Sequence, residues 1–291
     1  MNDSYVIVTD SCSDLTLKMV TEMNVDVVPL SVEIDGNIYR HYPDEREISV
    51  KDFYDKLRDK KVATTSLVNV GAYLEFFEEK LKEGKDILYI AFSSALSGSY
   101  QSSVIASGEL NEKYPERKIV VVDSLSASMG QGLLIWYAYQ KQKEGLSMLD
   151  VAKWVEEHKL NLCHLFTVDD LGTLKRGGRL SGAQALLGSL LKVKPVLHVS
   201  NEGKLVPIKK ARGRKTSLQI LVDLMKESIT EPQNQTIFIS HGDDFKDAEY
   251  IAQLIQEQIG VKHIEYGYVG PVVGAHSGPK TIAVFFMGRQ R

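Results

Sequence analysis

The chain predicts an α/β fold in two domains, and three observations carry that expectation. Short β-rich runs alternate with helical patterns through the first half, which is the rhythm of parallel βαβ units. The rhythm restarts at Cys163 and then changes, because Val193 to Val199 and Leu205 to Lys209 flank Asn201-Glu202-Gly203 as an antiparallel hairpin would. At 291 residues the chain has room for two domains of ordinary size. The expected division is an N-terminal, mainly parallel α/β domain over 1–160 and a C-terminal, mixed-sheet α/β domain over 161–291.

Element by element, Tyr5 to Thr9 reads as a buried strand ended by Asp10-Ser11, with a helix from about Leu15. Val25 to Leu30 is a second strand, and Asp35-Gly36-Asn37 turns the chain into Ile38-Tyr39. Helices follow at Val50 to Leu57, with Ser49 as its N-cap, and at Val70 to Leu81. Ile87 to Phe92 and Ile119 to Val122 are further strands, each leading through a Ser-rich turn into a helix, and Met148 to His158 closes this half. After the strand at Cys163 to Val168 and the hairpin, the helix following Arg214 puts Leu218, Leu221, Leu224 and Met225 on one face. A strand at Thr236 to Ser240, a helix at Asp244 to Gln258 and a strand at Ile282 to Met287 complete the pattern.

Composition excludes several classes of function. Hydrophobic residues make up 43% and charged residues 25%, too balanced for general disorder. Apolar stretches such as Leu133 to Ala138 fall far short of a membrane span, and Asp3 and Asp10 around the first apolar run are unlike a secretory leader. Two cysteines, Cys12 and Cys163, build neither a disulfide framework nor a zinc site, so a reduced, cytoplasmic setting is expected. Net charge is −3, yet between Lys175 and Lys215 eleven basic residues, Lys192 among them, face one acid, Glu202. That window predicts either a basic face for an anionic partner or a surface neutralised by acids elsewhere in the fold.

Phe92-Ser93-Ser94-Ala95-Leu96-Ser97-Gly98-Ser99 follows a strand and opens a helix, where free N–H groups and hydroxyls suit a carboxylate or phosphate. The same serines also serve as plain N-caps. Asp10 to Asp14 and Asp123 to Gly130 form similar turns on the same sheet edge, and Thr64-Thr65-Ser66, which precedes a helix, can join them. Gly270 to Pro279 holds His276 on what reads as a rigid Gly/Pro turn. Its end superficially matches a phosphate-binding loop, but Pro279 occupies a required glycine position. Gly172 to Gly182, with Lys175, Arg176 and Arg179, is either a phosphate cradle or a helix C-terminus with favourable cations. His241-Gly242-Asp243-Asp244 reads as a turn with an Asp N-cap ahead of a metal site. No hydrolase elbow, zincin or dinucleotide signature is present.

Taken together these blocks resemble the DegV family of bacterial fatty-acid-binding proteins, whose characterised members act as the FakB-type subunit of fatty acid kinase. The matching segments run the length of the chain: Thr9-Asp10-Ser11, Val28-Pro29-Leu30, Ser93 to Gly98, Asp123-Ser124 with Ser128 to Gly132, Asp170-Leu171 with Leu174 to Arg179, Lys194-Pro195, and Gly274 to Pro279. The resemblance implies a long-chain fatty acid in a buried tunnel, with its carboxylate at the junction of two domains. It assigns carboxylate contacts to Thr65, to Ser93 or Ser94, and to His276. It implies no metal, no cofactor beyond the bound lipid and no catalysis by this chain alone: a separate ATP-dependent kinase phosphorylates the acid, and the acyl phosphate feeds phospholipid synthesis. Lys175, Arg176, Arg179, Arg212 and Arg214 are the expected contacts to that kinase and its phosphates, without nucleic acid and with transient membrane contact for lipid exchange. Three positions depart from the family pattern: Thr65-Ser66-Leu67-Val68 lacks a proline, Ser99 replaces a threonine, and Lys280 replaces a glycine. Two rival functions remain: a lipid ester or thioester hydrolase with Ser93 or Ser94 as nucleophile and His276 as base, and a nucleic-acid binder using the basic window.

Overall fold

The computed structural model describes residues 5–181 and 193–291. Asp3, Gly182 and Lys192 lie outside the described residues. In the first half, β1 (Tyr5–Asp10) lies between β2 (Asp26–Val28) and β6 (Asp86–Ala91), with β7 (Ile119–Asp123) beyond β6. All three pairings are parallel. Such a sheet needs cover on both faces. On one, α3 (Val70–Lys82) and α4 (Ser99–Lys113) bury Tyr73, Phe77 and Leu110 against Ile87 and Tyr89. On the other, α5 (Ser128–Lys143) packs Leu133, Leu134 and Ile135 against Ile7, Leu88 and Ile90, beside α1 (Leu17–Met23) and α6 (Met148–His158).

The second sheet has the order β10-β9-β8-β13-β11-β12. Its strands are β8 (Leu162–Thr167), β9 (Val193–Val199), β10 (Leu205–Arg212), β11 (Thr236–His241), β12 (His263–Tyr268) and β13 (Ile282–Met287). Only β11 and β12 run parallel; the other pairs are antiparallel. Helices α8 (Arg214–Ser228) and α9 (Phe245–Gln258) cover its outer face, and α5 covers its inner one. Helix α5 therefore lies between the two sheets, which is why Ser128 to Ile135 are buried on every side of the helix. Gly130 permits that approach: a Cβ there would lie 2.3 Å from Nε2 of His164.

Three elements differ from the sequence expectation. The run from Val25 breaks after Val28, where Pro29 has no N–H for a ladder, and a new strand β3 (Ser31–Ile34) forms. It pairs antiparallel with β4 (Asn37–Arg40) and with β5 (Ala63–Ser66), making a small third sheet packed on α2 (Val50–Arg58). Thr65 is thus on a strand. Next, β12 adds to the sheet edge where its half-polar sequence gave no clear signal. Last, the turn expected to hold His276 is a helix, α10 (Pro271–Ser277), begun by Pro271 and ended by Gly278 at φ +79°.

Candidate functional site

A cavity of about 190 Å³ lies between the two sheets. Its body is apolar: Leu30, Phe92 and Leu96 from the first half, Phe166, Val199, Ala283 and Phe285 from the second sheet, and Val272 and Val273 from α10. Polar groups converge on one part of the wall, Thr65 and Ser66 on β5, Ser97 and Gly98 before α4, His276 and Ser277 on α10, and Arg179 beyond α7 (Leu171–Arg176), while Ser128, His164, Ser240 and Thr281 also line the cavity. A largely apolar pocket with a few convergent polar groups is the usual form of a small-molecule site.

Local structure explains how these groups meet. The β5 strand delivers Thr65, and the Val68 N–H donates to Ser99 Oγ (3.2 Å), tying the chain after β5 to the start of α4. Thr65 Oγ1 and His276 Nε2 lie 2.8 Å apart. The other edge of the imidazole rests on Gly177, where a Cβ would lie 2.3 Å from Nδ1. Gly177 caps α7, whose last turn carries Lys175 and Arg176, so the Gly-rich basic segment is a helix C-terminus. Beyond it, Arg179 donates from Nε to the Leu96 carbonyl (3.3 Å) and from Nη1 to the Gly177 carbonyl. Burial, reinforced by the Arg179 charge, lowers the His276 pKa to about 4, so the ring is neutral near pH 7. When its Nε2–H donates to Thr65 Oγ1, the threonine hydroxyl is free to donate to an anion. Ser277 also lines the cavity, and its Oγ is buried without a protein partner among the described residues.

The structure brings Thr65 and His276 together but does not bring Ser93 or Ser94 to them. Ser93 Oγ donates to the Gly203 carbonyl (2.9 Å), holding the hairpin turn, and Ser94 is exposed while its N–H donates to Asp123 (3.2 Å). Ser97 lines the cavity instead. It sits two residues before the first residue of α4, so the helix start was the signal that pointed to it. A Ser93–His276 nucleophile pair is accordingly not formed, since the imidazole partner is Thr65. Arg179, expected at a surface facing the kinase, lines the cavity. Arg214 is also not a free surface cation: it pairs with Asp247 (2.6 Å) and donates to the Lys280 carbonyl. Lys175, Arg176 and Arg212 are exposed. At His241–Asp244 the structure forms the turn, with Asp244 accepting from the Asp247 N–H. Among the described residues, no group of three His, Cys, Asp or Glu side chains is placed to hold a metal ion, and no helix is long and apolar enough to cross a membrane.

Comparison with known proteins agrees with this architecture. The family model described as "Uncharacterised protein, DegV family" matches residues 4–289. A DegV domain-containing protein of Clostridium perfringens is 48% identical over 284 residues, covering 98% of this chain and 97% of its own. One from Streptococcus pyogenes is 36% identical over 286 residues, covering 98% and 99%. Among solved structures, a fatty-acid-binding DegV family protein of Thermus thermophilus superposes with TM-score 0.88 at 30% identity, over 98% of this chain and 99% of that one. DegV of Bacillus subtilis, a fatty acid binding protein, gives 0.85 at 30% identity over the same shares. A stearic acid-binding protein of Eubacterium ventriosum gives 0.85 at 27% identity, over 97% and 98%. In sequence along its whole length and in fold, this chain belongs to the DegV family.

Proposed function

We propose that this protein binds one long-chain fatty acid, its tail in the cavity between the sheets and its carboxylate at Thr65, Ser97 and His276 beside Arg179. The observation that carries this reading is one apolar cavity with hydroxyls, a neutral imidazole and a guanidinium gathered on part of its wall. A carboxylate leaving water needs charge-assisted hydrogen bonds, and each buried CH₂ of the tail contributes about 0.8 kcal/mol. Relatives of the same fold that bind fatty acids support it. The finer reading is that this chain, without catalysis of its own, presents the carboxylate to a separate ATP-dependent fatty acid kinase. The acyl phosphate then feeds phospholipid synthesis in the cytoplasm, with transient membrane contact for lipid exchange. Exposed Lys175, Arg176 and Arg212 are available to meet the kinase.

Native mass spectrometry of the purified protein tests the first part. One co-purifying fatty acid per chain, with affinity for added acids rising with chain length until the cavity is filled, is the expected result. An empty protein indifferent to chain length refutes it. Acyl-phosphate formation that requires both this protein and a fatty acid kinase tests the second part.

A further inference from the structure

The inner face of the second sheet presents side chains to the cavity in rows set by strand register. One row runs Ser240, Ala283, Phe166 and Leu197 across β11, β13, β8 and β9. Phe285, two residues beyond Ala283 on β13, stands on the same face and also lines the cavity. Ala283 is thus a short apolar side chain with a phenyl ring on two sides. On a third side Ser240 is fully buried, its Oγ 3.1 Å from Ser128 Oγ. Neighbouring side chains on one sheet face stand about 5 Å apart, so a methyl group among phenyl rings leaves a recess one side chain deep. The recess is open, because Ala283 lines the cavity and keeps 5% of its surface exposed.

The same strand gives the depth. Thr281, just before β13, donates to the Ser277 and Gly278 carbonyls (3.1 and 2.9 Å) at the end of α10, close to His276. Thr281, Ala283 and Phe285 all line the cavity, so the cavity follows the strand. Ala283 is two residues along from Thr281, roughly 7 Å at the usual rise per residue. It therefore faces the acyl chain and not the carboxylate.

We propose that the recess at Ala283 is a side pocket of the acyl cavity, one that selects fatty acids carrying a methyl branch partway along the chain. The proposal rests on the fatty-acid reading above. An unbranched chain lying over Phe166 and Phe285 spans the recess without filling it, and the lining atoms lose contacts they would otherwise make. A branch methyl at that depth fills the recess and leaves water at the same time. A branch elsewhere along the chain meets bulky walls and is disfavoured by overpacking. Shape alone discriminates here, since Ala283, Phe166 and Phe285 offer the chain no polar side-chain group.

The test is titration of the delipidated full-length protein with octadecanoic acid and a positional series of monomethyl-branched octadecanoic acids, using wild type and Ala283→Val. One isomer, or two adjacent ones, should bind wild type about fourfold or more tightly than octadecanoic acid, as one buried methyl warrants. The remaining isomers should bind no more tightly than octadecanoic acid. Ala283→Val fills the recess from the protein side, so it should lose the positional preference and hold octadecanoic acid within about twofold of wild type. In parallel, a nuclear Overhauser contact should join the branch methyl of the preferred isomer to the Ala283 methyl in wild type. Equal affinity for all isomers, a preference that persists in folded Ala283→Val, or absence of that contact overturns the proposal. An equal loss of affinity for every acid in Ala283→Val also overturns it, because Ala283 then lies on the path of the acyl chain itself. Should that variant fail to fold, the wild-type positional preference and the Overhauser contact decide the matter. Failure of every acid to bind, octadecanoic acid included, overturns the fatty-acid reading itself.

Discussion

At the scale of single residues, two serines that look alike in sequence have different work. Ser93 closes a hydrogen bond to Gly203, and Ser97 faces the cavity. Ser97→Ala should weaken fatty-acid binding more than Ser93→Ala, which isothermal titration will show; the reverse order would move the carboxylate to Ser93. Thr65→Val removes a hydroxyl without a large change in volume. A hydrogen bond to a charged group is worth about 1.5–3 kcal/mol, so binding should weaken by roughly ten- to a hundredfold. In the proposed kinase-coupled role, His276→Ala should impair turnover at least as much as binding, because the imidazole orients Thr65 and lines the same part of the cavity wall. Wild-type turnover in folded His276→Ala would remove the imidazole from the mechanism.

At the scale of elements, α5 is the piece that both sheets share, and its fit depends on having no side chain at Gly130. Alanine is normally the better helix former, by about 1 kcal/mol. Here a Cβ would meet His164 at 2.3 Å and Phe285 at 2.8 Å. Overpacking of that kind costs about 1–3 kcal/mol, so Gly130→Ala should lower the denaturation midpoint and reduce lipid occupancy. A stabilised variant would show that the helix can move away from the second sheet. The last turn of α7 offers a separate test, because Lys175 and Arg176 are exposed there while Arg179 turns into the cavity. Reversing the charges of Lys175 and Arg176 should slow acyl-phosphate formation by the kinase and leave fatty-acid affinity in place. A parallel loss of affinity would place those charges at the lipid site.

At the scale of the whole molecule, stability should respond to acid through groups buried between and around the sheets. Burial lowers the pKa of His41, His241 and His276 from 6.5 to about 4, and that of His164 well below 6.5. Between about pH 6.5 and 4 the unfolded chain takes up protons that these folded rings refuse, so acidification favours unfolding. Asp14 has the opposite sign. Burial raises its pKa from 3.8 to about 8, so its contribution to stability is lost as pH rises through that range. Asp10, also raised by burial, adds to that side. Burial also lowers the pKa of His198 and raises that of Asp244, so five histidines stand against three carboxyls, and the melting temperature should fall as pH drops from about 6.5 to 4. A melting temperature that rises over that interval would show the carboxyls dominate. Because the cavity lies between the sheets, the acid should also act as a brace. Ligand at a hundred times its Kd adds about 2.7 kcal/mol, so delipidation should lower the melting temperature and added acid restore it.

The sequence by itself determined the α/β class and most of its elements, because local signals carry them. Apolar runs between Ser-rich turns marked β1, β6 and β7, Ser49 marked the start of α2, and Asn201-Glu202-Gly203 marked the β9–β10 hairpin. It also singled out Thr65 and His276, far apart in the chain, through their setting in recognisable blocks. Tertiary structure alone decided that these two side chains lie 2.8 Å apart, that Ser97 and not Ser93 faces the cavity, and that Arg179 turns inward. The physical reason is that local sequence reports backbone preference and hydrophobic period. Which side chains line an enclosed space depends on how α5, α10 and two sheets pack, and those contacts join residues more than a hundred positions apart.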